Sequence, residues 1–177
     1  MIFKIKRKQQ NSDMCFVCGI NNSIGLNGSF YETDANEVIG CFMPSNKHQG
    51  YPDRLHGGVA SAILDEMMFR AILAGKDNPV WGVTIDLFIK YRKAVSLNKE
   101  IKAISRITNE NSRMFEASAE LYSADGELAV TATGKYLKMS GSKLSGNLLN
   151  DIGWEVCSND KEPESIEIKN YPGKIKE

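Results

Sequence analysis

The residues best suited to chemistry lie within one short stretch, where His56-Gly57-Gly58 is followed, eight residues after Gly57, by Asp65. Glycines let a ligand approach the backbone. The first N–H groups of a helix, at the positive end of its dipole, stabilise an oxyanion. Gly57 and Gly58 equally suit a tight entry turn, and His56 equally suits a packed, hydrogen-bonded loop. Gly58, Ser61 and Asp65 fall at i, i+3 and i+7, on one stripe of a helix whose other residues are mainly apolar. A carboxylate on such a helix is either bonded to a neighbouring strand or loop as a structural group, or it is functional.

Spacing constrains how these groups act together. At 1.5 Å per residue, Gly57 and Asp65 are about 12 Å apart along one helix, too far for one carbonyl to meet both. Two helices running antiparallel about a two-fold axis bring Gly57 of one chain against Asp65 of the other and create two equivalent sites. At least a homodimer is therefore expected.

The pair Cys15-x-x-Cys18 matches the first half of many structural zinc sites. A second short-spaced pair is missing, and Cys41, Cys157, His48 and His56 would complete four ligands only by an accident of folding. No metal is expected.

The elements that must position these residues follow from periodicity. Short strands are predicted over Ser29 to Glu32 and Val38 to Phe42, parted by the turn-prone run from Thr33 to Asn36. A helical pattern runs from Gly58 to Ala74, with Gly75 at the C-cap and Pro79 beyond it. Its apolar residues, from Val59 to Leu73, surround the whole circumference, which predicts a helix buried on all sides. Glu66 and Arg70, at i,i+4, suit pairing on whatever strip stays open.

After the helix, Val83, Ile85, Leu87, Ile89 and Tyr91 alternate on one strand face, with Asp86, Lys90 and Arg92 on the other. Strands are also predicted over Glu100 to Ile107, Arg113 to Tyr122 and Leu128 to Met139, the last two joined by a Ser123-Ala124-Asp125-Gly126 hairpin turn. One helix beside an antiparallel sheet indicates an α+β domain, with a strongly curved sheet wrapped around the central helix.

At 177 residues the chain suits one domain with tails. The domain is expected over residues 13–139. Residues 1–12 and 140–177 are polar enough to predict tails, although Leu148, Leu149, Ile152 and Trp154 suit docking one short segment back on the body. The formal net charge is +0, so no long-range field draws nucleic acid or an anionic membrane. The basic opening continues into polar residues rather than an apolar run, and no stretch reaches the length of a membrane span. A cytoplasmic location is expected, with Cys15, Cys18, Cys41 and Cys157 as thiols.

Cys15-Phe16-Val17-Cys18-Gly19, Gly25-Leu26, His48-Gln49-Gly50-Tyr51-Pro52, Leu55-His56-Gly57-Gly58-Val59-Ala60 and Leu64-Asp65-Glu66 together resemble the hotdog thioesterases of the phenylacetyl-CoA thioesterase type. Thr84-Ile85-Asp86, Tyr91-Arg92-Lys93 and Ala129 to Gly134 extend the likeness, which covers roughly residues 15–137. The run from His48 to Asp65 is the specific part. The cysteines occur in that family as a plain N-terminal motif.

The resemblance implies a hotdog fold, hydrolysis of an acyl-coenzyme A thioester and, through exposed strand edges, assembly as a homodimer or a homotetramer. It implies Asp65 as general base or nucleophile and the Gly57 N–H as oxyanion donor, with His56 and Gly58 completing the motif. Where the family commonly has an Asn in the preceding loop, the longer loop here presents His48, with Asn46 as the alternative. Ser61 and Thr84 join Asn46 as substrate contacts. Arg92, Lys93, Arg106 and Arg113 are candidates for the nucleotide phosphates, or ordinary solvated cations. Met67, Met68, Phe69 and Trp81 suit an acyl pocket or plain core packing.

The chemistry suits a thioester, since a thiolate leaving group, with a parent pKa of about 8.5, needs activated water and an oxyanion site more than a strong acid. No cofactor is required. Two other functions are compatible with these residues: a non-catalytic acyl-CoA-binding module, and an enoyl-CoA hydratase using Asp65 with His48.

Overall fold

The structure, a computed structural model, describes residues 1–77, 80–144, 147–157 and 162–173. Strands β1 (Ile2–Lys8), β2 (Ser29–Thr33) and β3 (Val38–Phe42) precede a small hairpin, β4 (Gln49–Tyr51) and β5 (Arg54–Leu55). Helix α1 (Gly57–Ala71) follows, and then β6 (Trp81–Tyr91), β7 (Ile101–Glu110), β8 (Met114–Tyr122) and β9 (Leu128–Met139). Short helices α2 (Gly141–Leu144) and α3 (Leu148–Asp151) and a last strand, β10 (Ser165–Glu167), complete the chain.

Among the described residues, one antiparallel sheet has the order β10-β1-β2-β3-β7-β8-β9-β6. It packs against α1 through β3, β6, β7, β8 and β9. This is the α+β architecture that the periodicity predicts. The β8–β9 turn closes as expected, with Gly126 at φ +81° and its N–H donating to Ser123 O.

Helix α1 buries Ala60, Ile63, Leu64, Met67, Met68 and Ala71 on the sheet, each large apolar side chain contributing about 1.5–3 kcal/mol. It is not buried all round. Ala62, Asp65, Glu66 and Phe69 form a half-buried stripe at helical spacing. The helix ends at Ala71, followed by Gly75 at φ +72°; Pro79 lies outside the described residues. Met67 and Met68 are core residues.

Two expected tails are structured. Residues 2–8 pair with β2 on one side and β10 on the other, burying Phe3. Residues 165–171 bring Ile166, Ile168 and Tyr171 against Phe3, Ile39, Ile104 and Tyr122, a second core on the opposite sheet face. Both segments alternate apolar and charged residues, and their high charge conceals a period of two. Trp154 docks as expected, meeting Trp81 at 5.3 Å between ring centroids.

The Glu66–Arg70 pair forms, at 2.8 Å, but not on an open strip. Arg70 is 0% exposed, its guanidinium 3.6 Å from the Phe30 ring centre and bonded to Gln10 O. The N-terminal segment covers it. Strand β6 also departs from simple alternation, because the β6–β9 register shifts between Thr84 and Asp86. Thr84 therefore faces the helix while Val83 and Ile85 turn outward, with Leu87 and Ile89 back on the core.

Candidate active site

Two hydroxyls from neighbouring strands hold Asp65. Thr84 Oγ1 and Tyr136 Oη each donate to its Oδ1 at 2.9 Å, and the Tyr136 phenol also reaches Asp65 O at 3.2 Å. Thr84 and Tyr136 are cross-strand partners beside the β6 bulge, so the irregularity aims the threonine at the helix. Among the described residues no hydrogen bond uses Oδ2. One carboxylate oxygen is thus anchored and the other is available at a half-buried position open to solvent. Burial, with the Asp65 charge next, raises the Tyr136 pKa, which keeps the phenol a donor.

The helix entrance is built by the loop before it. Leu55 N–H bonds to Val95 O and His56 N–H to His48 O, which set the turn into α1. His56 is the N-cap, and its Nδ1 accepts from the Gly58 N–H at 2.9 Å. That bond engages the Gly58 N–H and gives His56 a capping role. Among the described residues no hydrogen bond engages the Gly57 N–H. The atoms nearest a Cβ at Gly57 belong to Tyr91, from 3.5 Å, an ordinary contact distance that leaves room for a side chain among the described residues.

Ser61 belongs to this entrance rather than to Asp65. Its Oγ donates to Gly57 O at 3.0 Å and lies 2.6 Å from Tyr91 Oη, which donates to the same carbonyl. A hollow of about 330 Å³ beside Gly57 is lined by Leu55, Tyr91, Arg92, Lys93 and Val130. Arg92 makes no ion pair among the described residues, whereas Lys93 pairs with Glu127. Arg113 stands at the far end of the sheet, because Met114 pairs with Leu137 and Leu137 with Val83. It is thus near the Asp65 end.

Two of the expected site residues are structural. His48 is 4% exposed; its Nδ1 accepts from Ser45 N–H at 2.9 Å, so Nε2 carries the proton toward Ile24 O at 3.1 Å. Both ring nitrogens thus bond within the loop. Arg106 is buried between Glu37 and Glu120, with Tyr171 Oη also accepting from it, and is a core ion-pair hub. Asn46 is exposed and accepts from Asn98 Nδ2 at 2.9 Å.

Tyr136 is the site residue that sequence reasoning missed. It sits two places after Gly134 on the inner face of β9, where a buried phenol must find an acceptor, and that need was the available signal. A hollow of about 660 Å³ lies elsewhere, on the outer sheet face beside Phe88, Lys90, Thr108 and Thr131. It holds neither Asp65 nor Gly57, so the polar geometry rather than hollow size locates the site.

Comparison with known proteins follows this geometry. Residues 53–130 match the model of the thioesterase superfamily. No curated protein matches the chain. A solved thioesterase superfamily protein is 22% identical with a TM-score of 0.63; the match covers 70% of this chain but only 59% of that one. A phenylacetic acid degradation-related protein from Ralstonia eutropha JMP134 is 19% identical, with a TM-score of 0.57 over 63% of this chain and 85% of its own. A hypothetical thioesterase protein from Streptococcus pneumoniae TIGR4, solved with coenzyme A, is 17% identical, with a TM-score of 0.54 over 59% and 82%. The fold is the hotdog fold. Among the described residues no helix is long and apolar enough to cross a membrane.

Proposed function

We propose that this chain, whose residues 53–130 match the thioesterase superfamily model, hydrolyses an acyl-coenzyme A thioester in a site shared between two subunits. The observation that carries this reading is the state of Asp65: Oδ1 is clamped by Thr84 and Tyr136, leaving Oδ2 for the reaction. Asp65 delivers the attack, as general base on water or as nucleophile. The Gly57 N–H at the positive end of α1 receives the oxyanion.

Because the two groups are about 12 Å apart along α1, the carbonyl lies between Gly57 of one subunit and Asp65 of the other. Strand β6 supports this assembly. It forms a free sheet edge among the described residues and carries Ile85 at 55% and Phe88 at 64% exposure. Arg92 and Lys93, beside Gly57, suit the phosphates of coenzyme A, and Arg113 serves the opposite end.

Two substitutions test the reading on a panel of aryl, short-chain and long-chain acyl-CoA substrates. Asp65→Asn is expected to stay folded and lose about 10²–10⁴-fold in turnover. Gly57→Pro removes the proposed oxyanion donor at a first helical position, where proline is favoured, and His56 before it is already extended at φ −63°, ψ 136°. A loss of about 10²–10³-fold in kcat is expected. Wild-type turnover in folded Asp65→Asn overturns the reading, and tight acyl-CoA binding without hydrolysis by the wild type identifies a binding module instead.

A further inference from the structure

The sequence pairs Cys15 with Cys18 and offers no further ligand at short spacing, but folding supplies one from α1. The two thiols and the Glu66 carboxylate converge with their ligand atoms within 4.8 Å of one another. The proposed thioester chemistry uses none of the three.

The loop that carries the cysteines is shaped around a thiolate. Cys15 Sγ accepts N–H groups from Val17 at 3.3 Å and Cys18 at 3.4 Å, and Ser12 Oγ lies 3.2 Å from Cys18 Sγ. Gly19 N–H closes the turn on Cys15 O at 2.8 Å. Only glycine fits there, since a Cβ would stand 2.3 Å from Cys15 O. Glu66 is held by Arg70, whose Nε bonds to Oε1 at 2.8 Å and leaves the second oxygen for another partner.

Charge makes the cluster incomplete on its own. Three acids and one guanidinium converge, so full ionisation leaves two net negative charges in a largely buried place. A divalent ion balances those two charges.

We infer that Cys15, Cys18 and Glu66 form a zinc site that fastens the N-terminal loop to helix α1, one residue from Asp65. Two thiolates select a soft, four-coordinate ion over calcium or magnesium. Tetrahedral bonds of about 2.3 Å to sulfur require sulfurs about 3.8 Å apart, which needs a closure of about 1 Å at most. Arg70 orients the carboxylate ligand, as a supporting partner does in metal sites. The fourth position faces a hollow of about 320 Å³ between Phe69, Trp81 and Trp154, open to a solvent ligand. The inference does not rest on the proposed hydrolysis.

The test uses the full chain, freed of metal under a non-thiol reductant and titrated with Zn²⁺, with Co²⁺ as a spectroscopic probe. About one zinc per chain is expected, with a thiolate-to-cobalt charge-transfer band and a thermal midpoint that rises with added zinc. Cys18→Ser and Glu66→Gln are each expected to weaken zinc by more than the 10–100-fold that loss of a supporting partner costs. Cys41→Ser and Cys157→Ser are expected to bind as the wild type. Folded, reduced wild type that retains no zinc and gives no charge-transfer band overturns the inference, whatever the variants do. So does Glu66→Gln that binds zinc as tightly as the wild type, or loss of the metal from either control variant.

Discussion

Asp65 is a useful carboxylate because of what its neighbours do to one of its oxygens. Thr84 and Tyr136 both bond Oδ1, so the side chain is fixed in rotation while Oδ2 keeps its lone pairs. Loss of one hydrogen bond to a charged group costs about 1.5–3 kcal/mol, or roughly 10–100-fold. Tyr136→Phe and Thr84→Val are therefore expected to lower kcat by that factor at nearly constant KM, with the double variant approaching Asp65→Asn. Steady-state kinetics with circular dichroism as the folding control checks this. A larger KM than kcat effect would mean that the hydroxyls bind substrate directly. At this scale the carboxylate, the glycines and Thr84 can be named from the sequence, Thr84 as a substrate contact rather than as the partner of Asp65 that the structure shows. It did not carry Tyr136, 71 residues along the chain from Asp65, because only the β6–β9 pairing brings that phenol to the helix.

Between elements, the order of strands and the position of α1 were legible because long alternating or helical runs leave one arrangement that buries them. Strand ends agree closely, as in β3 and β9. The ends of the chain were misread for one reason, that charge outweighed alternation. In Ile2–Lys8 and Ser165–Ile168 the apolar residues are few, and only their partner across the sheet makes them core. Ile168 is 1% exposed in that second core. Ile168→Ala is expected to destabilise the fold by about 2–5 kcal/mol in denaturant titration. Turnover per folded molecule should stay unchanged, since these side chains lie across the sheet from Asp65. An unaltered denaturation midpoint would show that the C-terminal segment adds nothing to the fold.

For the whole molecule, the β6 edge, free among the described residues, is a surface a second copy would complete. The shared-site reading makes a prediction that no single chain can imitate. Folded but inactive Asp65→Asn and Gly57→Pro subunits, unfolded together and refolded as a mixture, would pair at random. A heterodimer then has one intact site of its two, so about one quarter of wild-type activity should return. A mixture as inactive as its components, with light scattering showing mixed dimers, would place both groups in one subunit and sink the shared site.

The sequence by itself determined the α+β class, the helix that carries Asp65 eight residues beyond Gly57, and the separation that forbids both from serving one carbonyl in one chain. These follow from local periodicity and helical rise, which need no knowledge of neighbours. Tertiary structure decided the rest. It sealed His48 and Arg106 into structural bonds, gave Asp65 its tyrosine, turned Thr84 inward at a bulge and set Glu66 against two cysteines. Each of those outcomes depends on pairing between residues far apart in the chain, and the residues themselves are compatible with several pairings until the sheet register selects one.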